Sequence, residues 1–294
     1  MKKKFLSKVK VAALLLGLTV VLCGCGDDKE KETTTKDAGQ TTASSDTEGE
    51  PNYGGQVVVG IQQDIDSLDP HLAVGAGTKE VLFNMFEGLV KPNSEGNLVP
   101  AVAESYDVSK DSKVYTFKLR SGVKFHNGAE VTAEDVKYSV ERCAGLLSED
   151  GEPLEDGMDA VKEVNIKDAS TVEVVLEEGD TEFISCLTIA ILPKDYKNQA
   201  TEPVGTGPFQ FVSYTAGQKI VMKKNPNYWE KGVPYLDQVE FRIVANTDSV
   251  LMDLKAGSID IYPYLTDSQA AELGETMDIL DGNTNLVQAL FLNN

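Results

Sequence analysis

The apolar positions of this chain change their period several times, and each change predicts an element. Residues 11–22, "VAALLLGLTVVL", form one unbroken apolar run, whereas residues 27–53, "DDKEKETTTKDAGQTTASSDTEGEPNY", carry almost nothing apolar. The first spans only ~18 Å as a helix, short of the ~30 Å hydrocarbon core of a bilayer. The second cannot bury enough surface to offset its ordering entropy, so it is predicted disordered. Regular patterning begins near Gly54. "QVVVGI" (56–61) reads as a buried strand, and Pro70 breaks the loop that follows. From Thr78, Val81, Leu82, Met85, Phe86 and Leu89 recur at helical spacing, which predicts an amphipathic helix over 78–90. Tyr115, Phe117 and Leu119 alternate as in a half-buried strand, and Asn127-Gly128 marks a hairpin turn. Thr132 followed by Asp135 is a capping pattern before Val136, Val140 and Cys143, which places Cys143 in a core.

Farther along, "VKEVNIKDASTVEVVLEE" predicts two strands around 168–170, and "TEFISCLTIAIL" (181–192) a helix. "FQFVSYTA", "QKIVMKK" and "QVEFRIV" are strand patterns. Val250, Leu251 and Leu254 predict a helix stopped by Gly257, followed by a strand "SIDIYPY", a short helix "DSQAAELGE" and a strand "NLVQALFLNN". Helices and strands mix throughout, so the class is α/β or α+β, with no internal repeat. The chain ends inside that last strand pattern, which predicts a chain cut short of a natural terminus.

Charge changes the picture at the front. The first 24 residues hold Lys2, Lys3, Lys4, Lys8 and Lys10 and no acid, ahead of the apolar run. That order is a secretory signal. "LCGC" (22–25) resembles a bacterial lipobox: Leu22 and Gly24 stand where an aliphatic and a small residue are wanted, so Cys25 is the expected lipidated residue and Cys23 is discarded. The polar stretch behind it is then a tether of roughly 30 Å root-mean-square span. Its composition is similar to that of surface lipoproteins of bacteria lacking an outer membrane. The chain has 294 residues, 27 basic and 47 acidic side chains, and a formal charge of −20. Such a surface repels phosphate backbones, so nucleic acid is not an expected partner.

The side chains that carry chemistry are sparse. Cys143 and Cys186 remain in the body, read first as two buried free thiols and second as one disulfide; no CxxC pair supports a zinc site. His71 and His126 are the only histidines, each read as a structural polar residue, and neither has metal-ligand spacing. "VGTGPF" (204–209) lacks the Lys-Ser/Thr of a P-loop and reads as a tight turn. No catalytic constellation emerges, which argues against an enzyme such as a surface hydrolase.

Residues 103–142, "AESYDVSKDSKVYTFKLRSGVKFHNGAEVTAEDVKYSVER", resemble the signature of family 5 extracellular solute-binding proteins, the receptors of dipeptide and oligopeptide importers of the ATP-binding-cassette (ABC) class. "SLDPH" (67–71), "FEGLV" (86–90), "VPAVAESY" (99–106), "GTGPF" (205–209), "NPNYW" (225–229), "YLDQVEFRI" (235–243) and "AGSIDIYPY" (256–264) follow in the family's order, so the resemblance covers 54–294. It implies an α/β clamshell of the type II periplasmic-binding-protein kind, with an extra subdomain and with the second lobe missing. The expected layout is a lipoprotein signal peptide at 1–24 and a tether at 25–53. A first lobe follows from 54–81 and 201–285, with an inserted subdomain at 82–200 and the start of the crossing to the second lobe at 286–294.

The implied function is a lipid-anchored, exported, monomeric receptor on the outer face of the cytoplasmic membrane. It captures short peptides for ABC permease subunits and uses no cofactor. A nickel-chelate, metallophore or oligosaccharide ligand is the alternative within the family; a sensory or adhesive surface lipoprotein is the alternative outside it. The family's ligand wall maps here onto the loop at Gly75, Ala76, Gly77 and Thr78, onto Tyr262 and Tyr264, and onto Thr284 and Asn285. For the tyrosines, plain strand packing weighs as much as ligand contact. One wall alone leaves a ligand solvated, so negligible peptide affinity is expected of it. The signature and "NPNYW" residues are expected as fold markers.

Overall fold

The computed structural model of the chain describes residues 51–244 and 246–280. In chain order these hold β1 (Gln56–Ile61), α1 (Ala76–Leu82), β2 (Val90–Pro92), β3 (Leu98–Pro100), β4 (Ala103–Val108), β5 (Val114–Leu119) and α2 (Ala133–Cys143). Then come β6 (Val161–Asp168), β7 (Thr171–Leu176), β8 (Phe209–Thr215), β9 (Lys219–Lys224), β10 (Gln238–Ile243), α3 (Thr247–Ala256) and α4 (Asp267–Leu273). Short 3₁₀ helices occupy Met158–Ala160 and Phe183–Thr188.

Three sheets result. The first has the order β1-β10-β9-β8, with β1 and β10 parallel and the other pairs antiparallel. The second is the β2–β3 hairpin, and the third runs β4-β5-β7-β6, antiparallel throughout. In β5 and β7 the alternation is clean: Tyr115, Phe117, Leu119, Val172, Val174 and Leu176 all point into one core. On the same core lies α2. Its capping box is complete, with Thr132 Oγ1 accepting from the Asp135 amide and Asp135 Oδ2 accepting from the Thr132 amide. Val136, Val140 and Cys143 are fully buried beneath it, each aliphatic side chain contributing about 2 kcal/mol relative to exposure.

A second core lies under the first sheet, where Val81, Leu82, Met85 and Phe86 meet Phe209, Ile220, Met222 and Phe241. A third, smaller one packs Val250, Leu254 and Leu273 around Ile259 and Tyr262. Side packing begins at Tyr53, the last residue of the expected tether, whose ring meets Tyr235 edge-on at 5.4 Å.

Three expectations are corrected. The helix expected over 78–90 stops at Leu82, although Val81, Leu82, Met85, Phe86 and Leu89 are all buried. Beyond it the backbone turns to serve distant partners: the Asn84 and Met85 carbonyls accept from the amides of Phe209 and Gly207. Burial there has helical spacing without helix. Over 181–192 only a kinked 3₁₀ turn forms, and Ile191 and Leu192 then donate their amides to Glu87 and to Ser139 Oγ. "SIDIYPY" makes a single parallel bridge, Ile261 to Val59, because the Asp260 carboxylate takes the Val58 amide and Pro263 has no amide to give. The strands β2, β3 and β4 come without a prior expectation. The expected strand "NLVQALFLNN" lies outside the described residues.

Candidate functional site

β1 delivers the chain at Ile61 into a long loop that returns to α1, and this loop is tied together by one acid. Asp66 Oδ2 accepts from the amides of Val74 (3.0 Å) and Gly75 (2.8 Å), while Thr78 Oγ1 accepts from the Asp66 amide (3.2 Å). Burial would raise the pKa of Asp66, but the hydrogen bonds with Thr78, Gly75 and Val74 outweigh it and hold the carboxyl below its ordinary value. Asp66 thereby sets the position of residues 74–78. Thr78 is buried in that arrangement, whereas Ala76 is exposed. The two glycines differ. A Cβ on Gly75 would sit 3.4 Å from both Asp66 Oδ2 and Thr78 Oγ1, while a Cβ on Gly77 would meet nothing within 4 Å. Gly77 therefore faces open space.

Two tyrosines close the other side. Tyr264 is exposed and donates its hydroxyl to Glu80 Oε1 on α1. That hydrogen bond, with burial second, pushes its pKa up to about 12, so the phenol stays protonated. Tyr262 is buried, accepts from Gln62 Nε2 at 2.8 Å, and lies against Gly60. The structure thus brings Tyr264 to the helix that carries Ala76, Gly77 and Thr78, and sends the Tyr262 ring into the third core with only its hydroxyl turned to the loop. Thr284, Asn285 and Cys25 lie outside the described residues. Asp66, Gln62 and Glu80 are participants that sequence reasoning missed. The density of acids in "QQDIDSLDP" was a signal for the first; nothing local announces a partner almost two hundred residues away for the other two. This wall sits past the carboxyl end of β1, where open α/β sheets place ligands.

The remaining motifs bind the protein to itself. Arg142 donates two hydrogen bonds to Asp69, at 3.0 and 2.8 Å, and a third to His71 Nδ1 at 3.0 Å, while His71 Nε2 donates to the Ala190 carbonyl at 2.7 Å. Burial, helped by Arg142, pulls the His71 pKa down to about 4. His126 spans the Gly205 amide and the Gly207 carbonyl, and burial brings it to about 4 as well. Both imidazoles are neutral structural groups, as their contexts imply. Glu87 accepts from Lys91, Tyr228 and Trp229, and Asn225 donates to the Gly207 carbonyl. Cys143 and Cys186 are free thiols, the first buried and the second half-buried, and burial raises the pKa of both. Among the described residues no group of three or more His, Cys, Asp or Glu side chains could hold a metal ion.

Against known proteins, residues 97–294 match the model of the bacterial extracellular solute-binding proteins, family 5 (middle region). The chain belongs to this family. It is 29% identical over 285 residues to the dipeptide-binding protein DppE of Bacillus subtilis, covering 87% of this chain and 50% of that protein. Among solved structures, the periplasmic binding protein AgaA of A. tumefaciens R10, in complex with agropinic acid, aligns with a TM-score of 0.70 and 32% identity. That alignment covers 75% of this chain and 46% of AgaA. DppA of Helicobacter pylori, in complex with the peptide STSA, also aligns at 0.70, with 29% identity over 76% of this chain and 49% of that one. The solute-binding protein described here therefore has the type II periplasmic-binding α/β fold, and it spans about half the length of the relatives it matches. No helix among the described residues is long and apolar enough to cross a membrane.

Proposed function

We propose that this chain supplies one wall of a lipid-anchored receptor that captures short peptides and passes them to an ABC permease. The observation that carries the reading is the ledge made by residues 74–78. Asp66 fixes it from below, Gly77 opens onto free space above it, and Tyr264 closes it from the side through Glu80. A peptide laid along such a ledge leaves its side chains free to vary, which suits capture of mixed sequences. The relatives' names, a dipeptide-binding protein among them, point the same way. In receptors built like them a second wall of comparable size closes over the ligand. The segments 54–81 and 201–285 form the first lobe in this reading, and 82–200 its inserted subdomain. The likeness to a receptor complexed with agropinic acid keeps a non-peptide small ligand as the second reading.

A titration of this chain followed by amide NMR separates the two. One wall alone binds weakly, so the expected result is millimolar, saturable movement of the 75–78 amides with tri- and tetrapeptide pools and none with agropinic acid or nickel–histidine. Movement with agropinic acid alone would replace the peptide reading by the second one. For the anchor, metabolic labelling in a bacterial host with an alkyne fatty acid should mark the chain. Cys25→Ala should abolish the label and Cys23→Ala should leave it; the opposite outcome would move the anchor to Cys23.

A further inference from the structure

Tyr138 and Arg142, one turn apart on α2, border a cavity of about 210 Å³ whose other polar walls are Asp69, Tyr196, Lys197 and Gln199. The acceptors there are taken. Asp69 Oδ1 receives the His71 amide and Arg142 Nη1, and Asp69 Oδ2 receives Arg142 Nη2. Gln199 exchanges both ends of its side-chain amide with the Val204 backbone, and the Tyr196 hydroxyl donates to the Glu202 carbonyl. The donors are not taken. A guanidinium carries five N–H groups in one plane. Asp69 uses one from Nη1 and one from Nη2, and His71 Nδ1 uses the second from Nη1. Nε–H and the second Nη2–H remain, side by side on one edge, as a complete unused fork. The Tyr138 hydroxyl and the Lys197 ammonium also have no partner among the described residues. Burial opposes the charge on Arg142, but Asp69 and Tyr138 outweigh it and hold its pKa above the ordinary value.

We infer that this cavity binds a small oxyanion, a carboxylate or a phosphate, on the free fork of Arg142, with Lys197 and Tyr138 donating to the same group. No part of the site involves residues 74–78. Free donors facing satisfied acceptors select a ligand that only accepts, and a planar fork fits two oxygens of one group. Charge agrees locally, since Arg142 and Lys197 outnumber Asp69 on the wall. The formal charge of −20 on the whole chain opposes any anion, but salt screens it beyond about 8 Å. Size sets the limit. The cavity is smaller than the roughly 300–1,000 Å³ of drug-sized sites, so it takes a free ion or a single acidic group.

The test titrates the same chain with inorganic phosphate and, separately, with acetate, at an ionic strength held constant with chloride. The readout is NMR of the Arg142 side-chain Nε–H and of the Lys197 and Gln199 amides. At least one of the two anions should move these signals together along one saturable curve; whichever binds more tightly names the source of the oxyanion. Tyr138→Phe keeps the ring and removes one donor, and should weaken binding about three- to tenfold. Lys197→Gln, at an exposed position, should weaken it about two- to fivefold. Lys223→Gln makes the same charge change at an exposed position on β9 and should leave binding as it was. An Arg142 Nε–H silent to both anions, or a drift that never saturates, would overturn the site. So would binding unchanged by both Tyr138→Phe and Lys197→Gln, or weakened as much by Lys223→Gln as by Lys197→Gln.

Discussion

Around Glu87 every polar atom is engaged: its carboxylate, almost wholly buried, takes hydrogen bonds from Lys91, Tyr228 and Trp229, and Lys91 and Arg120 lie over the Trp229 ring. Around Gly77 the opposite holds. Ala76 is exposed, Gly77 faces open space, and Val74 is the second most exposed large apolar side chain of the described residues, after Leu280. The first region carries the motifs "FEGLV" and "NPNYW", by which the family is recognised; the second carries the ledge. Recognisable motifs here mark seams that weld the sheets together, while the surface proposed to take a ligand is the part left unsaturated.

The largest effect expected from this contrast is a pH dependence confined to the seams. Burial holds His71 and His126 at about 4, against 6.5 for the free side chain. Between those values the unfolded chain binds a proton at each histidine that the folded chain does not. Their contribution is therefore complete above pH 6.5 and is lost as the pH falls toward 4, on the order of 3 kcal/mol for each. Asp64, Asp66 and Glu240 are also depressed, but they titrate lower, so a comparison of urea midpoints at pH 7 and 4.5 reads mainly the histidines. A midpoint that does not move would show these seams to be looser than the geometry states.

Next comes Glu87→Ala. It leaves the Tyr228 hydroxyl, the Trp229 indole and Lys91 without their shared acceptor, and should cost about 3–5 kcal/mol in urea unfolding at pH 7. A loss below about 1 kcal/mol would mean that the network is solvated and the contrast with the ledge is one of sequence alone.

How much of this was legible beforehand follows from the same contrast. The strands β5, β7, β8, β9 and β10 and the helix α2 announce themselves because a local period matches a local face, and Thr132–Asp135 caps within four residues. The end of α1 does not, because what stops it is a demand from Gly207 and Phe209, more than a hundred residues downstream, for the carbonyls at 84 and 85. At the ledge the resemblance placed residues 75–78 and the two tyrosines together. It could not say that Tyr262 points into a core or that Tyr264 reaches Glu80, since side-chain direction at a lone bridge depends on Asp260 and Pro263.

A third effect compares a seam glycine with its own neighbours. At Gly205 a Cβ would lie 2.2 Å from the Met85 carbonyl oxygen and 2.5 Å from the Phe86 ring. Gly205→Ala must push the loop that leads into β8 away from residues 84–86, an overpacking that costs about 1–3 kcal/mol. The thermal midpoint should fall accordingly; an unchanged midpoint would show that the two backbones part freely.

The smallest effect is the most discriminating. Gly77 is the second residue of α1, and a methyl there meets nothing within 4 Å, so Gly77→Ala trades a flexible residue for the best helix former without a clash. It should stabilise the chain by a few tenths of a kcal/mol, up to about 1. If the ledge takes a peptide backbone, the same methyl projects into the ligand's path, and the peptide-induced movement of the 75–78 amides should weaken while stability rises. If the open space above Gly77 is merely solvent, stability rises and the peptide response stays as it was. Urea unfolding and the NMR titration on one variant therefore decide whether the unsaturated surface is a binding surface: a gain in stability with an unaltered peptide response would separate openness from function at this wall.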